Sequence, residues 1–201
     1  MSLSTLHASW PLPDAARLRD ALLAAYADPQ RGYHDTVHLG EVLGRLDELA
    51  AHGVVFDELP VRLAGWFHDA VYDGERDAEE RSAAWAEEAL PGLVDDATVA
   101  EVARLVRLTE THRPDDDDAD GCALSDADLG ILAAGPERYA GYVAAVRVEY
   151  AHLDDATFAA GRRTVLDDLL AKPHLFHTTH GRERWEDAAR ANATAELARL
   201  G

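Results

Sequence analysis

A single cysteine, Cys122, with no CxxC companion, leaves this chain without an internal disulfide and without a thiolate zinc site. Lysine is nearly absent too: Lys172 is the one lysine among 19 basic residues, which face 38 acidic ones. The resulting formal charge of -19 argues against duplex nucleic acid as a partner, because phosphate contacts rest on a basic footprint. No stretch approaches the roughly 18 consecutive apolar residues of a membrane span. The N-terminal MSLSTLHASWPLPDAARL has neither a basic n-region nor a continuous apolar run, so no membrane association and a cytoplasmic location are expected. Strand alternation bounded by hairpin turns is also missing. Any metal must then be held by histidine and carboxylate, and any anion clamp must be built chiefly from arginine, whose planar fork suits phosphate.

Helical periodicity is what the chain has in quantity. Apolar residues recur at three- and four-residue spacing in AARLRDALLAAYAD, HLGEVLGRLDELAAH, LPVRLAGWFHDAVY and ERDAEERSAAWAEEAL. The pattern continues in DATVAEVARLVRLTETH, SDADLGILAAG, PERYAGYVAAVRVEYAHL, DDATFAAGRRTVLDDLLAK and RERWEDAARANATAELARL. Gly53, Pro60, Pro91-Gly92, Pro114, Gly135-Pro136, Pro173 and Gly181 fall between these segments or at their ends, where helix breakers belong. With 201 residues, 47% of them hydrophobic, the chain can bury one sizeable core. The expected architecture is all-α: a single domain over residues 1–201, a bundle of about eight or nine helices.

Three segments carry metal-ligand residue types: His38 in YHDTVH, His68-Asp69 in WFHDAVYD, and Asp126 in LSDADLGIL. Two imidazoles and two carboxylates can fill four positions around one divalent cation and leave others for water or substrate, as a metal-assisted hydrolase requires. His34 and His38 are four apart near a predicted helix start, and His38 leads into the apolar run Leu39, Val42, Leu43, Leu46. His68-Asp69 sits late in a strongly apolar predicted helix, where a charged pair is costly to bury unless a cation or an arginine compensates it. Asp126 can equally be a helix start, with Ser125 or Asp126 as the cap; Asp128 is the fallback ligand.

Other residues invite and resist functional readings. Asp116, Asp118, Asp120 and Gly121 fit the opening of a calcium loop, but its twelfth position is Ala127 where a glutamate is needed, so a turn or helix start is expected there. His174, His177 and His180 lie in a connecting segment without a supporting carboxylate. Tyr139, Tyr142, Val146 and Tyr150 form an amphipathic stripe that reads as core or as a contact between subunits of a homo-oligomer.

The order His38, His68-Asp69, Asp126 resembles the HD-domain superfamily of metal-dependent phosphohydrolases, and within it a bacterial subgroup of predicted metal-dependent HD phosphohydrolases. The resemblance rests on YHDTVHL, FHDAVYD, EERSA, Thr109 to His112, DADLGIL, VRVEY, GRR and ARAN, which run from Arg31 to Asn192. It implies an all-α fold, metal ligation by His38, His68, Asp69 and Asp126, and hydrolysis of a small phosphorylated substrate such as a nucleotide. One divalent ion is implied (Mn, Fe, Co, Ni, Zn or Mg), with room for a second near His112. Asp69 is the expected proton acceptor, with Glu79, Glu80 and Asp73 as weaker candidates. Arg31 is expected to contact the anion and His34 to hold substrate or a water through a hydrogen bond. Arg113 is expected either near the substrate or on the acidic loop, and Arg147, Arg163 and Arg190 in salt bridges between helices. A non-catalytic sensor of a bound anion and a di-iron oxygenase are the alternative readings.

Overall fold

Aspartate starts many of the helices in this acidic chain. In the computed structural model, which describes residues 3–74 and 76–200, the side chains of Asp35, Asp57, Asp95, Asp118 and Asp154 accept hydrogen bonds from the first-turn amides of the helices they precede. Each such cap contributes about 1 kcal/mol, and each places a negative charge at the positive end of a helix dipole.

Among the described residues there are eleven α-helices and no strand. They are α1 (Leu3–Ser9), α2 (Ala16–Tyr26), α3 (Thr36–Ala51), α4 (Glu58–Phe67), α5 (Ala78–Ala89), α6 (Asp96–Leu108), α7 (Ala119–Leu129), α8 (Pro136–Glu149), α9 (Asp155–Ala171), α10 (Thr179–Arg184) and α11 (Glu186–Leu200). Two short 3-10 turns join them, Pro13–Ala15 and Gly130–Ala133. The all-α expectation holds. The two helices beyond the expected nine are the short α1 and a break at Trp185, which separates α10 from α11 where the sequence reads as one run.

The helix expected to begin at Ser125 or Asp126 begins earlier, at Ala119, with Asp118 as its cap. The acidic loop is therefore a helix start, as its turn chemistry allows: Asp118 accepts from the Gly121 amide and receives both guanidinium nitrogens of Arg104. That shift moves Ser125 and Asp126 from a helix start to the interior of α7 and Asp128 to its last turn.

The core forms around α4, whose residues from Pro60 to Phe67 are buried except for Arg62. Helices α3, α5, α6 and α7 pack against it. Leu39, Val42, Leu43, Leu46 and Leu49 line one face of α3, and Val102, Leu105 and Val106 one face of α6. Full burial of each such side chain contributes about 1.5–3 kcal/mol. Helices α3, α4 and α7 thus meet in the interior, and each brings a polar side chain to the meeting point.

Candidate metal centre

His38 lies in the first turn of α3, held by a cap in which Asp35 Oδ1 accepts from the amides of Val37 and His38. His34 precedes that cap and belongs to the loop, so the helical i, i+4 relation expected for the two histidines does not apply, although their rings come within 5.5 Å. His68 follows the last residue of α4 and its amide still donates to the Ala64 carbonyl. Consecutive residues on a continuing helix point about 100° apart. Here the chain leaves the helix at Phe67, and His68 Nε2 and Asp69 Oδ2 come together at 3.1 Å.

The polar atoms of three helices converge. His38 Nε2 and His68 Nε2 are 3.0 Å apart, and each is 3.1 Å from Asp69 Oδ2. Asp128 Oδ1 lies 3.3 Å from His38 Nε2 and 3.7 Å from His68 Nε2. Both histidines are 1% exposed, so water cannot satisfy them from outside. His68 Nδ1 donates to the Gly65 carbonyl at 2.9 Å, so when the ring loses a proton Nε2 is the nitrogen that carries the lone pair. Asp128 reaches further: its Oδ2 is 3.4 Å from His112 Nε2, while His112 Nδ1 meets Ser125 Oγ at 3.3 Å. His112 adopts a left-handed backbone, φ 49°, which histidine tolerates better than most residues.

The electrostatics follow from burial and proximity. Burial pulls the His68 ring down, but the neighbouring Asp69 and Asp128 carboxylates outweigh it and push its pKa up to about 9. His38 is raised in the same way, against burial, by hydrogen bonds that its ring donates to Asp128 and Asp69. Burial pushes the two carboxylates up, but the histidines, His68 foremost, hold both well below the usual range. His112 is lowered by burial, which favours its neutral form. Without a cation the four groups share protons as one unit.

Asp126 is not in this cluster. Its carboxylate accepts from the amides of His177 at 2.7 Å and Thr178 at 2.8 Å, and so anchors the segment before α10 to α7. Burial pushes it up to about 6, against the lowering by those amides. Residues two apart on a helix point about 200° apart, so when Asp128 faces α3 and α4, Asp126 must face the opposite side. The position expected for Asp126 is taken by Asp128.

Arg31 does not offer its fork to a ligand. It donates to the carbonyls of His34 at 2.9 Å, Asp69 at 2.7 Å and Ala70 at 2.9 Å. It therefore clamps the turn that presents His68-Asp69 to the loop that precedes α3. Arg31→Ala is expected to lower stability by about 2–4 kcal/mol, since charge-assisted bonds to buried carbonyls are lost. Urea denaturation measures this, and a loss under about 0.5 kcal/mol would exclude the clamp role.

His34 is positioned by a residue the sequence did not single out. Glu149, the last residue of α8, accepts from the amides of Gly32, Tyr33 and His34 with one oxygen and meets His34 Nδ1 at 2.8 Å with the other. A Cβ on Gly32 would collide with the Ala145 carbonyl and the Glu149 side chain, so this close approach needs glycine. The signal was present in VRVEY, but nothing in one sequence says which backbone that glutamate serves.

The remaining candidates lie elsewhere. Asp73 pairs with Arg81, and Glu80 with Arg107. Arg113 pairs with Asp168 and not with the acidic loop. Arg147 bonds to Asp155 and Arg190 to Glu186. His180 meets Glu48 at 2.8 Å and its ring lies 4.3 Å from that of His52.

A cavity of ≈ 440 Å³ opens beside the cluster, lined among others by His34, His112, Asp128, Arg162 and Lys172. Cavities of ≈ 570 and ≈ 910 Å³ elsewhere on the surface include none of His38, His68, Asp69 or Asp128 in their walls. Among the described residues one group of three or more donor side chains, His38, His68 and Asp69, is close enough to hold a metal ion. No helix among those residues is long and apolar enough to cross a membrane. Compared with known proteins, the chain matches no family model, no curated protein and no solved structure.

Proposed function

We propose that this protein is a metal-dependent hydrolase of a small phosphate ester, with one divalent ion held by His38, His68, Asp69 and Asp128. The observation that carries the reading is the convergence of His38 Nε2, His68 Nε2 and Asp69 Oδ2 at 3.0–3.1 Å from one another, with Asp128 Oδ1 at 3.3 and 3.7 Å from the two nitrogens. Donor atoms about 2.0–2.2 Å from a common centre stand roughly 3.0–3.6 Å apart, so the spacing fits the edges of a coordination shell. The donor chemistry fits equally well: mixed nitrogen and oxygen ligation suits Mn, Fe, Co, Ni or Zn, and Mg less readily.

A divalent ion there supplies Lewis acidity toward a phosphoryl oxygen and lowers the pKa of water. The chain's own residues do the rest. His68 is oriented through Gly65, and Asp69 through its amide, which donates to Tyr26 Oη at 3.2 Å. The depressed carboxyl of Asp69 stays ionised and so can compensate the charge of a cation. His34, fixed by Glu149, offers Nε2 to substrate at the cavity wall. Arg162 and Lys172 line the same wall, where Arg162 is paired with Glu196 and Lys172 donates to the carbonyls of Thr111 and His112.

Elemental analysis of the purified protein beside His68→Ala, with a phosphatase and phosphodiesterase screen of both in added Mn, Co, Ni, Mg and Zn, tests this. The parent is expected to bind about one equivalent of metal and release phosphate, and the variant to lose both. Metal without turnover in the parent would favour a non-catalytic sensor. A two-iron oxygenase draws on the contact between Asp128 Oδ2 and His112, and predicts about two irons per chain together with oxygen consumption. Absence of metal from the parent would remove the reading.

A further inference from the structure

Beside the cavity at the cluster lies a second one of ≈ 370 Å³ between α8 and α9, lined by Tyr72, Tyr142, Val146, Tyr150, Phe158 and Val165, among others. His34, Tyr142, Arg162 and Val165 belong to the walls of both cavities, so the two are neighbours that share a partition. The polar groups are unevenly divided. Asp128, His112, Asp168 and Lys172 line only the first, while Tyr72, Tyr150, Phe158 and Leu153 line only the second.

We infer that these cavities form one bipartite substrate site, in which the phosphate faces the metal cluster and a flat aromatic group of the same molecule occupies the space between α8 and α9. This rests on the phosphohydrolase reading for the phosphate half. The aromatic half stands on its own lining. Tyr72 is already stacked on His34, with ring centroids 3.9 Å apart and planes at 28°, so a planar surface stands at the partition. Phenol rings with hydroxyls at the edge accept a ring face-on while tolerating polar substituents. The mouth is exposed apolar surface: Tyr150 is 39% and Val165 51% exposed. Tyr150 and Val165 are thus specificity-determining residues, and the tyrosine stripe of α8 is divided between core at Tyr139 and ligand wall at Tyr150. A purely sugar-like or inorganic phosphate leaves the second cavity unfilled and forgoes that apolar burial.

Gly161 allows a test that spares the fold. It lies on α9 at the cavity wall, and nothing stands within 4 Å of where its Cβ would be. Gly161→Leu therefore adds an apolar side chain at the cavity wall with open space around its Cβ, and replaces a poor helix former with a good one. Binding of 1-naphthol and of 1-naphthyl phosphate to the metal-loaded parent and to Gly161→Leu is measured by fluorescence titration, with hydrolysis of 1-naphthyl phosphate followed alongside. The variant is expected to bind both probes at least about tenfold more weakly while retaining the parent's metal content. Equal binding of 1-naphthol by parent and variant, or no binding to the parent, would overturn the aromatic subsite. Naphthol binding that is lost in the variant, without hydrolysis of the ester by the parent, would keep the subsite and sink the phosphohydrolase reading.

Discussion

Asp128→Asn is expected to weaken metal binding by at least about a hundredfold and to lose phosphate release with it, whereas Asp126→Asn keeps both and loses stability. The contrast follows from the two faces of α7. Asp128 contributes Oδ1 to the histidine pair and Oδ2 to His112, so its carboxylate is shared by every ring in the cluster. An amide there keeps the shape and removes the charge that compensates a cation. Asp126 instead accepts two backbone amides, and an asparagine has one acceptor oxygen where two are used. That substitution is expected to cost about 1–3 kcal/mol in urea denaturation and to leave elemental analysis unchanged. If Asp126→Asn lost the metal and Asp128→Asn retained it, the assignment of the fourth ligand would be reversed.

Metal affinity is expected to rise about tenfold per pH unit up to pH 9, and so to be about a hundredfold weaker at pH 7 than at pH 9. Burial disfavours the charged His68 ring, but Asp69 and Asp128 outweigh it and hold its proton up to about 9. A metal ligand must be neutral, so binding below that pH displaces a proton from the cluster. The folded value lies above the ordinary value near 6.5, which sets the sign for the metal-free protein. The protonated cluster stabilises it fully below about 6.5, and this contribution is lost as pH rises through 9. Thermal unfolding followed from pH 6 to 9 should therefore diverge. The Tm of the metal-free protein falls over that window, while protein with excess Mn gains. Calorimetric titration in buffers of different ionisation enthalpy counts the protons released. A release near zero at pH 7 would mean that the histidines are already neutral and that the carboxylates do not hold them charged.

Much of this architecture is written in local pattern. The all-α class follows from three- and four-residue spacing over most of the chain, and Asp35, Asp57, Asp95 and Asp154 stand where helix starts are legible. His38, His68 and Asp69 were likewise visible, because polar residues beside runs such as Leu63 to Phe67 demand compensation when buried. The start of α7 was not legible, since PDDDDADG offers several aspartates with equal capping chemistry. That ambiguity left open which carboxylate faces His38 and His68, because an unknown helix phase cannot tell Asp126 from Asp128.

Sequence by itself determined the helical class and the supply of imidazole and carboxylate, because periodicity and burial cost act along a few turns of one chain. Only the tertiary structure decided how they are used. The stop of α4 at Phe67 brings His68 and Asp69 to one point, and the packing of α7 against α3 presents Asp128 to them. The carbonyls around that turn claim Arg31 for the scaffold, and Glu149 reaches back across more than a hundred residues to hold His34. These are long-range pairings selected by geometry and desolvation, and neither quantity exists until the helices have met.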